Sequence, residues 1–108
     1  MKKKSNLTMF MNQLIATFKK EGRYGTAHIY QSTLNAFIRF CKTDNIPFCW
    51  LERSFLKKFE TYLRQKGNAW NTVSTYMRTL RNTYNKASDE NIVPIKARLF
   101  HHVFKFRK

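Results

Sequence analysis

The sequence predicts an all-α fold, a small four-helix bundle with a basic C-terminal tail. Apolar residues recur at steps of three and four residues in separate segments, which is the period of an α-helix with one buried side. Gly, Pro or Asn and Asp separate these segments. A chain of 108 residues that is 43% hydrophobic can form one modest core. We therefore expect one helical domain over residues 1–94 and a basic linker over residues 95–108.

Helix one is predicted from Ser5 to about Lys20. Ser5 or Asn6 can accept a hydrogen bond from the free amides of the first turn, and Gly22 can end the helix in a left-handed conformation. The predicted buried residues fit the helical period without a gap: Leu7, Phe10, Met11, Leu14, Ile15 and Phe18.

Helix two is predicted to open at Gly25–Thr26, with Thr26 as the N-cap, and to end near Asp44–Asn45. Its predicted buried stripe consists of Tyr30, Leu34, Phe37, Ile38 and Cys41. The opposite face has no acidic residue and consists of His28, Gln31, Ser32, Asn35, Arg39 and Lys42.

The segment Ile46–Leu51 is too apolar for a solvated loop, and Pro47 prevents a helix from running through it. We expect an extended connector that crosses the core.

Helix three is predicted from about Arg53 to Lys66, with Gly67 as its stop. Its predicted inward residues are Phe55, Leu56, Phe59, Tyr62 and Leu63. Glu60 and Arg64 are four residues apart in the favourable order, which is typical of a solvated scaffold helix.

Helix four includes the stretch from Asn71 to Ala87. Its predicted buried stripe consists of Val73, Met77, Leu80, Tyr84 and Ala87. The remaining positions are small polar residues or cations, with no carboxylate before Asp89: Asn71, Thr72, Thr75, Arg78, Thr79, Asn82 and Lys86. Solvated helix faces usually mix acids with Lys, so an acid-free face of this kind can approach a polyanion.

The net charge points to nucleic acid as the partner. Lys and Arg number 21 against six Asp and Glu, for a formal net charge of +15. A membrane is the weaker alternative, because no apolar run approaches the roughly 18 to 20 residues needed to cross a bilayer. No signal-type apolar core follows Met1–Lys4, so we expect a soluble intracellular protein. Cys41 and Cys49 are the only cysteines and lack suitably spaced partner ligands, so we expect no metal and no cofactor.

The segment Trp70–Ala87, followed by Ile92–Val93–Pro94, resembles the core-binding, SAM-like N-terminal domain of tyrosine recombinases of the phage-integrase family, of the mobile-element type. The motif is matched at Asn71, Thr72, Val73, Tyr76, Met77, Arg78, Leu80, Arg81, Asn85 and Ala87. Residues 55–63 and 26–41 resemble the third and second helices of that domain. The sequence departs from the family at Ala69, where a Ser cap is usual, so we expect Asn68 or Asn71 to cap helix four instead.

The resemblance implies binding of double-stranded DNA at a recombination core site, with contacts from helices two and four. The positions it implies are Thr26, His28, Ser32, Asn71, Thr72, Thr75, Arg78, Thr79, Asn82 and Lys86. We expect Arg78 and Lys86 to contact phosphate. For any single residue such as Thr79 or Asn82, a polar outer face without a binding role is an equal expectation.

The resemblance also implies that catalysis belongs to a second domain outside these residues, so the fragment itself is not an enzyme and has no small-molecule substrate. Neighbouring recombinase protomers are further implied partners, and the implied location is the bacterial cytoplasm, on the nucleoid. Two alternatives remain open: a stand-alone basic DNA-binding regulator of a mobile element, and a helical module that binds membranes or proteins.

Overall fold

The computed structural model describes residues 6–90, which confirm the predicted all-α fold class with four helices. The helices are α1 (Leu7–Lys20), α2 (Tyr24–Cys41), α3 (Arg53–Gln65) and α4 (Trp70–Asp89), and a single 3-10 turn covers Phe48–Trp50. Predictions for Ser5, for the Ile92–Val93–Pro94 turn and for the basic linker 95–108 lie outside the described residues.

The chain divides between Phe48 and Cys49 into two compact units. In the first unit α1 packs against α2, and in the second unit α3 packs against α4. Each unit is therefore a helix pair.

A glycine in the left-handed conformation ends the first helix of each pair, as predicted. Gly22 has a φ of 80° and Gly67 a φ of 88°. After each glycine the chain turns back onto the helix it has just left. The amide of Arg23 donates to the carbonyl of Phe18 at 2.8 Å, and that of Asn68 donates to the carbonyl of Leu63 at 3.2 Å. This paired closure satisfies carbonyls that the helix end would otherwise leave free.

The predicted stripe of α1 is buried except for Leu14, which is half-buried. Asn6 is the N-cap, because its side-chain oxygen accepts a hydrogen bond from the amide of Met9 at 2.8 Å. On α2 the buried apolar residues are Ala27, Tyr30, Leu34, Ala36 and Phe37. The rings of Phe18 and Tyr30 join the two helices, with centroids 5.0 Å apart.

The predicted bounds of α2 are wrong at both ends. The helix begins at Tyr24, because the turn at Gly22 is so short that Arg23 already serves as the N-cap position. It ends at Cys41, because Lys42 adopts a left-handed φ of 62°. The hydroxyl of Thr43 then accepts a hydrogen bond from the amide of Asn45, which holds a turn where the prediction continued the helix.

The connector is extended only in its first part. The carbonyl of Ile46 accepts a hydrogen bond from the amide of Leu7 at 2.8 Å, and Pro47 forms an isolated antiparallel bridge with Asn6. The chain then enters the 3-10 turn that begins at Phe48, which the prediction of a fully extended segment missed. Ile46, Phe48 and Leu51 are buried, as the apolar composition indicates.

In the second unit every residue of the predicted α4 stripe is buried, and so are Leu56, Phe59 and Leu63 of α3. The expected cap of α4 is wrong: Ala69 is the N-cap, and no side chain makes a capping hydrogen bond there. Asn68 instead donates through its side-chain amide to the carbonyl of Leu63 at 3.0 Å, so it closes the end of α3.

Candidate nucleic-acid interface

The outer side of α4 presents short polar side chains and cations. We define the α4 face by its exposed or half-buried members, which recur at steps of three and four residues: Asn71, Thr75, Arg78, Asn82 and Lys86. This spacing places them on one side of a helix. None is acidic, and the first carboxylate of the helix belongs to its last residue, Asp89. The structure therefore brings these predicted positions together.

Thr79 does not belong to this face, so its predicted place among the outward residues is wrong. It is only 5% exposed, and Thr83, one turn later, is fully buried. Thr72, seven residues before Thr79 on the same side, is half-buried. The buried side of α4 is thus wider than its apolar stripe. A threonine hydroxyl that bonds to the preceding turn can be buried without losing a hydrogen bond.

Threonine hydroxyls along α4 form such bonds. Thr75 donates to the carbonyl of Asn71 at 2.9 Å, and Thr79 donates to the carbonyl of Thr75 at 2.8 Å. On the α4 face, Thr75 has therefore already used its single donor, and its methyl group and the two lone pairs of its oxygen are left for a partner.

Arg78 is exposed, and its guanidinium has a defined partner. Its Nη2 donates to the Oγ of Ser74 at 2.7 Å, and Ser74 is 8% exposed. Sequence reasoning did not single out Ser74. The signal was present in the four-residue spacing between Ser74 and Arg78, which brings two side chains together on a helix.

On α2, His28 and Ser32 share one side with two other polar residues at helical spacing. We call His28, Ser32, Asn35 and Arg39 the α2 face, in which Ser32 is half-buried and the others are exposed. The side-chain amide of Gln31 donates to that of Asn35 at 3.0 Å and orients it.

Thr26 does not join the α2 face. It lies two residues before His28, which is about 200° around a helix, and four residues before the buried Tyr30. The structure thus separates Thr26 from the two other predicted positions of α2. The α2 face belongs to the first unit and the α4 face to the second.

No member of the α2 face or of the α4 face is acidic, although Asp89 follows Lys86 by three residues at the end of α4. Helix α2 has no acid, and most of the six carboxylates of the chain lie at helix ends or in a loop: Glu21, Asp44, Glu52, Asp89 and Glu90. Glu60 alone lies inside a helix, on α3, where it is half-buried. Burial raises the pKa of Glu60, against the opposing effect of the nearby cations Lys57 and Arg64.

Helix α3 carries more cations than the α4 face, with Arg53, Lys57, Lys58 and Arg64 all exposed. The guanidinium of Arg64 lies 4.9 Å from the ring centre of Trp70, which gives it an aromatic partner. These long side chains surround a helix that also contains Glu60. The number of cations therefore does not identify α4 rather than α3 as the binding helix. The short side chains of the α4 face, however, allow a duplex to approach the helix more closely.

The described residues give no support for a metal site, a reactive thiol or a membrane span. Within residues 6–90 no three His, Cys, Asp or Glu side chains gather into a group that could hold a metal ion. Burial raises the pKa of the Cys41 thiol to about 11, which disfavours the reactive thiolate at neutral pH. Among the same residues, no helix combines the length and the hydropathy that a membrane span requires.

The comparison with protein families agrees with this helical arrangement. The model of the phage integrase SAM-like domain matches residues 6–106. No curated protein and no solved structure gave a significant match. The predicted resemblance is confirmed, and the matched domain is a non-catalytic part of integrases. Because the match covers nearly all of the 108 residues, the chain belongs to the phage integrase SAM-like domain family.

Proposed function

We propose that this chain binds double-stranded DNA as the core-binding domain of a site-specific tyrosine recombinase. The observation that supports this most directly is the α4 face, an exposed row of small polar residues and cations with no acid before the last residue of the helix. Family membership supports the same reading, because this domain accompanies the catalytic domain of integrases.

The chemistry of the α4 face suits a duplex. Asn71 and Asn82 are exposed amides, and an amide can donate to and accept from adenine in the major groove. Arg78 and Lys86 supply charge for the phosphates, which take half or more of the hydrogen bonds in protein–DNA complexes. Short side chains between these cations leave room for the helix to approach the groove.

The role we propose within the recombinase is positional. The domain holds the recombination core site on one side of the duplex, and a separate catalytic domain cuts and rejoins the strands for integration or recombination. Other protomers on the same DNA are its proposed protein partners, and the bacterial nucleoid is its proposed location. Translation of the gene beyond Lys108 tests this assignment. An Arg, a His-x-x-Arg motif and a late Tyr support it, and a stop codon there favours a stand-alone regulator.

Binding is tested by titrating the protein into a fluorescent duplex at several salt concentrations. If the protein engages six or more phosphates, its affinity should fall roughly a thousandfold between about 50 and 200 mM salt. A flat salt dependence, or no binding at low salt, would refute the proposal. Anionic vesicles provide the comparison: binding to vesicles without binding to duplex would favour a membrane module.

A candidate attachment site should next be compared with a random duplex of equal length in a gel shift. Because we expect charge to supply most of the affinity, the preference for the attachment site should be small.

A further inference from the structure

The hydrogen bond between Arg78 and Ser74 distinguishes Arg78 from the other cation of the α4 face. Nη2 of Arg78 lies 2.7 Å from Oγ of Ser74, one helical turn earlier. Ser74 is nearly buried, so its hydroxyl is a fixed anchor rather than a mobile surface group. Lys86 makes no hydrogen bond or ion pair with the rest of residues 6–90.

A guanidinium has five N–H donors in a planar fork, and the bond to Ser74 uses one of them. The other donors remain available to a ligand on the exposed side of α4. An arginine held in this way has already lost much of the side-chain freedom that binding would otherwise remove. A phosphate group, with its several acceptor oxygens, matches the free part of the fork.

We propose that Ser74 is a positioning residue that holds the Arg78 guanidinium in place for a phosphate of the duplex. This inference rests on the proposed function, because it concerns the same DNA-binding surface. It adds a residue that does not itself contact DNA and that acts only through Arg78.

The competing account is that the bond is an ordinary surface pair within one helix, which contributes slightly to helix stability and nothing to binding. The two accounts differ in one respect. Positioning makes the effect of Ser74 on DNA affinity depend on Arg78, whereas a contribution to helix stability does not.

The test measures duplex affinity and its salt dependence for Ser74→Ala, Arg78→Ala and the double variant. We expect Ser74→Ala to weaken binding about three- to tenfold, from restored side-chain freedom. Its salt slope should stay unchanged, because the charge is still present. Arg78→Ala should weaken binding and also reduce the salt slope by about one. Adding Ser74→Ala to Arg78→Ala should cause no further loss.

Two controls isolate the hydroxyl. Ser88→Ala removes another serine hydroxyl from α4, one that is buried without a hydrogen-bond partner in the described part of the chain, and it should leave the affinity unchanged. Ser74→Thr keeps a hydroxyl at the anchor and should retain most of the affinity. Thermal midpoints by circular dichroism should match for all variants, which shows that each is folded.

Three results would overturn the inference: unchanged affinity in Ser74→Ala, an equal loss in Ser88→Ala, or a further loss in the Arg78→Ala background. In each case the unmodified protein still binds duplex, so the proposed function stands. Absence of binding by the unmodified protein would instead refute the proposed function, and this inference with it.

Discussion

At the scale of single residues, the threonines of α4 show why a polar residue type does not define a surface. Thr75 and Thr79 each donate a hydroxyl to the carbonyl four residues earlier, yet Thr75 is half-buried and Thr79 is buried. Because the hydrogen bond is made within the helix, a threonine tolerates either environment. A charged side chain tolerates only the exposed environment, and this difference provides a test.

Thr79→Asp should destabilise the protein by more than about 2 kcal/mol, since it places an unpaired carboxylate in a buried position. Asn82→Asp introduces the same side chain on the exposed α4 face and should change stability by no more than about 0.5 kcal/mol. Urea unfolding followed by circular dichroism measures both. Equal effects of the two substitutions would mean that Thr79 is not buried.

At the scale of elements, glycines determine where the first helix of each pair ends. Gly67 has a φ of 88°, a backbone conformation that residues other than glycine rarely adopt. Gly25 lies inside α2 and does not have a positive φ. A Cβ at either position meets no atom within 4 Å. The two sites therefore differ in backbone conformation but not in available space.

Gly67→Ala should lower the free energy of unfolding by about 1 kcal/mol, because alanine is strained in the left-handed region. Gly25→Ala should raise it by about 0.4–1 kcal/mol, because alanine restricts the unfolded chain and fits a helix. Thermal or urea unfolding gives both values. A loss of stability in Gly25→Ala would contradict the conformation assigned to that glycine.

The helices also differ in how their charges are distributed. The cations of α3 surround the half-buried Glu60, whereas those of the α4 face lie among small polar side chains. If close approach decides binding, the few cations of α4 should matter more than the many of α3.

Charge reversal at Arg78 and Lys86 together should weaken duplex binding by about tenfold or more, because it removes two phosphate contacts and adds repulsion. The matched control reverses Lys57 and Lys58 on α3, which changes the net charge by the same amount. Fluorescence titration at constant salt compares the two variants. Equal losses would place the binding surface elsewhere, or spread it over both helices.

At the scale of the whole molecule, the net charge of +15 opposes a compact state. Few ion pairs offset it: within residues 6–90 the structure records one, between Arg23 and Glu21 at 3.5 Å, and both side chains are more than half exposed. Such a pair contributes little to stability. Screening by salt should therefore relieve repulsion more than it weakens attraction.

The thermal midpoint should rise by several degrees as NaCl increases from about 20 to 500 mM, since about 1 kcal/mol corresponds to roughly 4–8 °C for a domain of this size. Calorimetry without DNA measures this. A midpoint that falls with salt would mean that attractive charge pairs outweigh the repulsion. If the midpoint rises with salt while DNA affinity falls, both responses have one cause, the excess of positive charge.

Much of the fold could be predicted from local chemistry. The apolar stripe of α4 and the glycine stops at Gly22 and Gly67 follow from helical periodicity and from the conformational freedom of glycine, which depend only on nearby residues. The family could be predicted as well, because its motif lies within one helix. The side of α4 that carries Asn71, Arg78 and Lys86 follows from the same periodicity.

The start of α2 and the burial of Thr79 could not be predicted in this way. Each depends on how a turn closes or on which groups surround a side chain in the folded chain, and a residue type permits several outcomes. The sequence by itself therefore determined the number and order of the helices, most of their buried residues and the family. Only the tertiary structure decided which polar residues of α4 remain at the surface, because burial is a property of packing and not of periodicity.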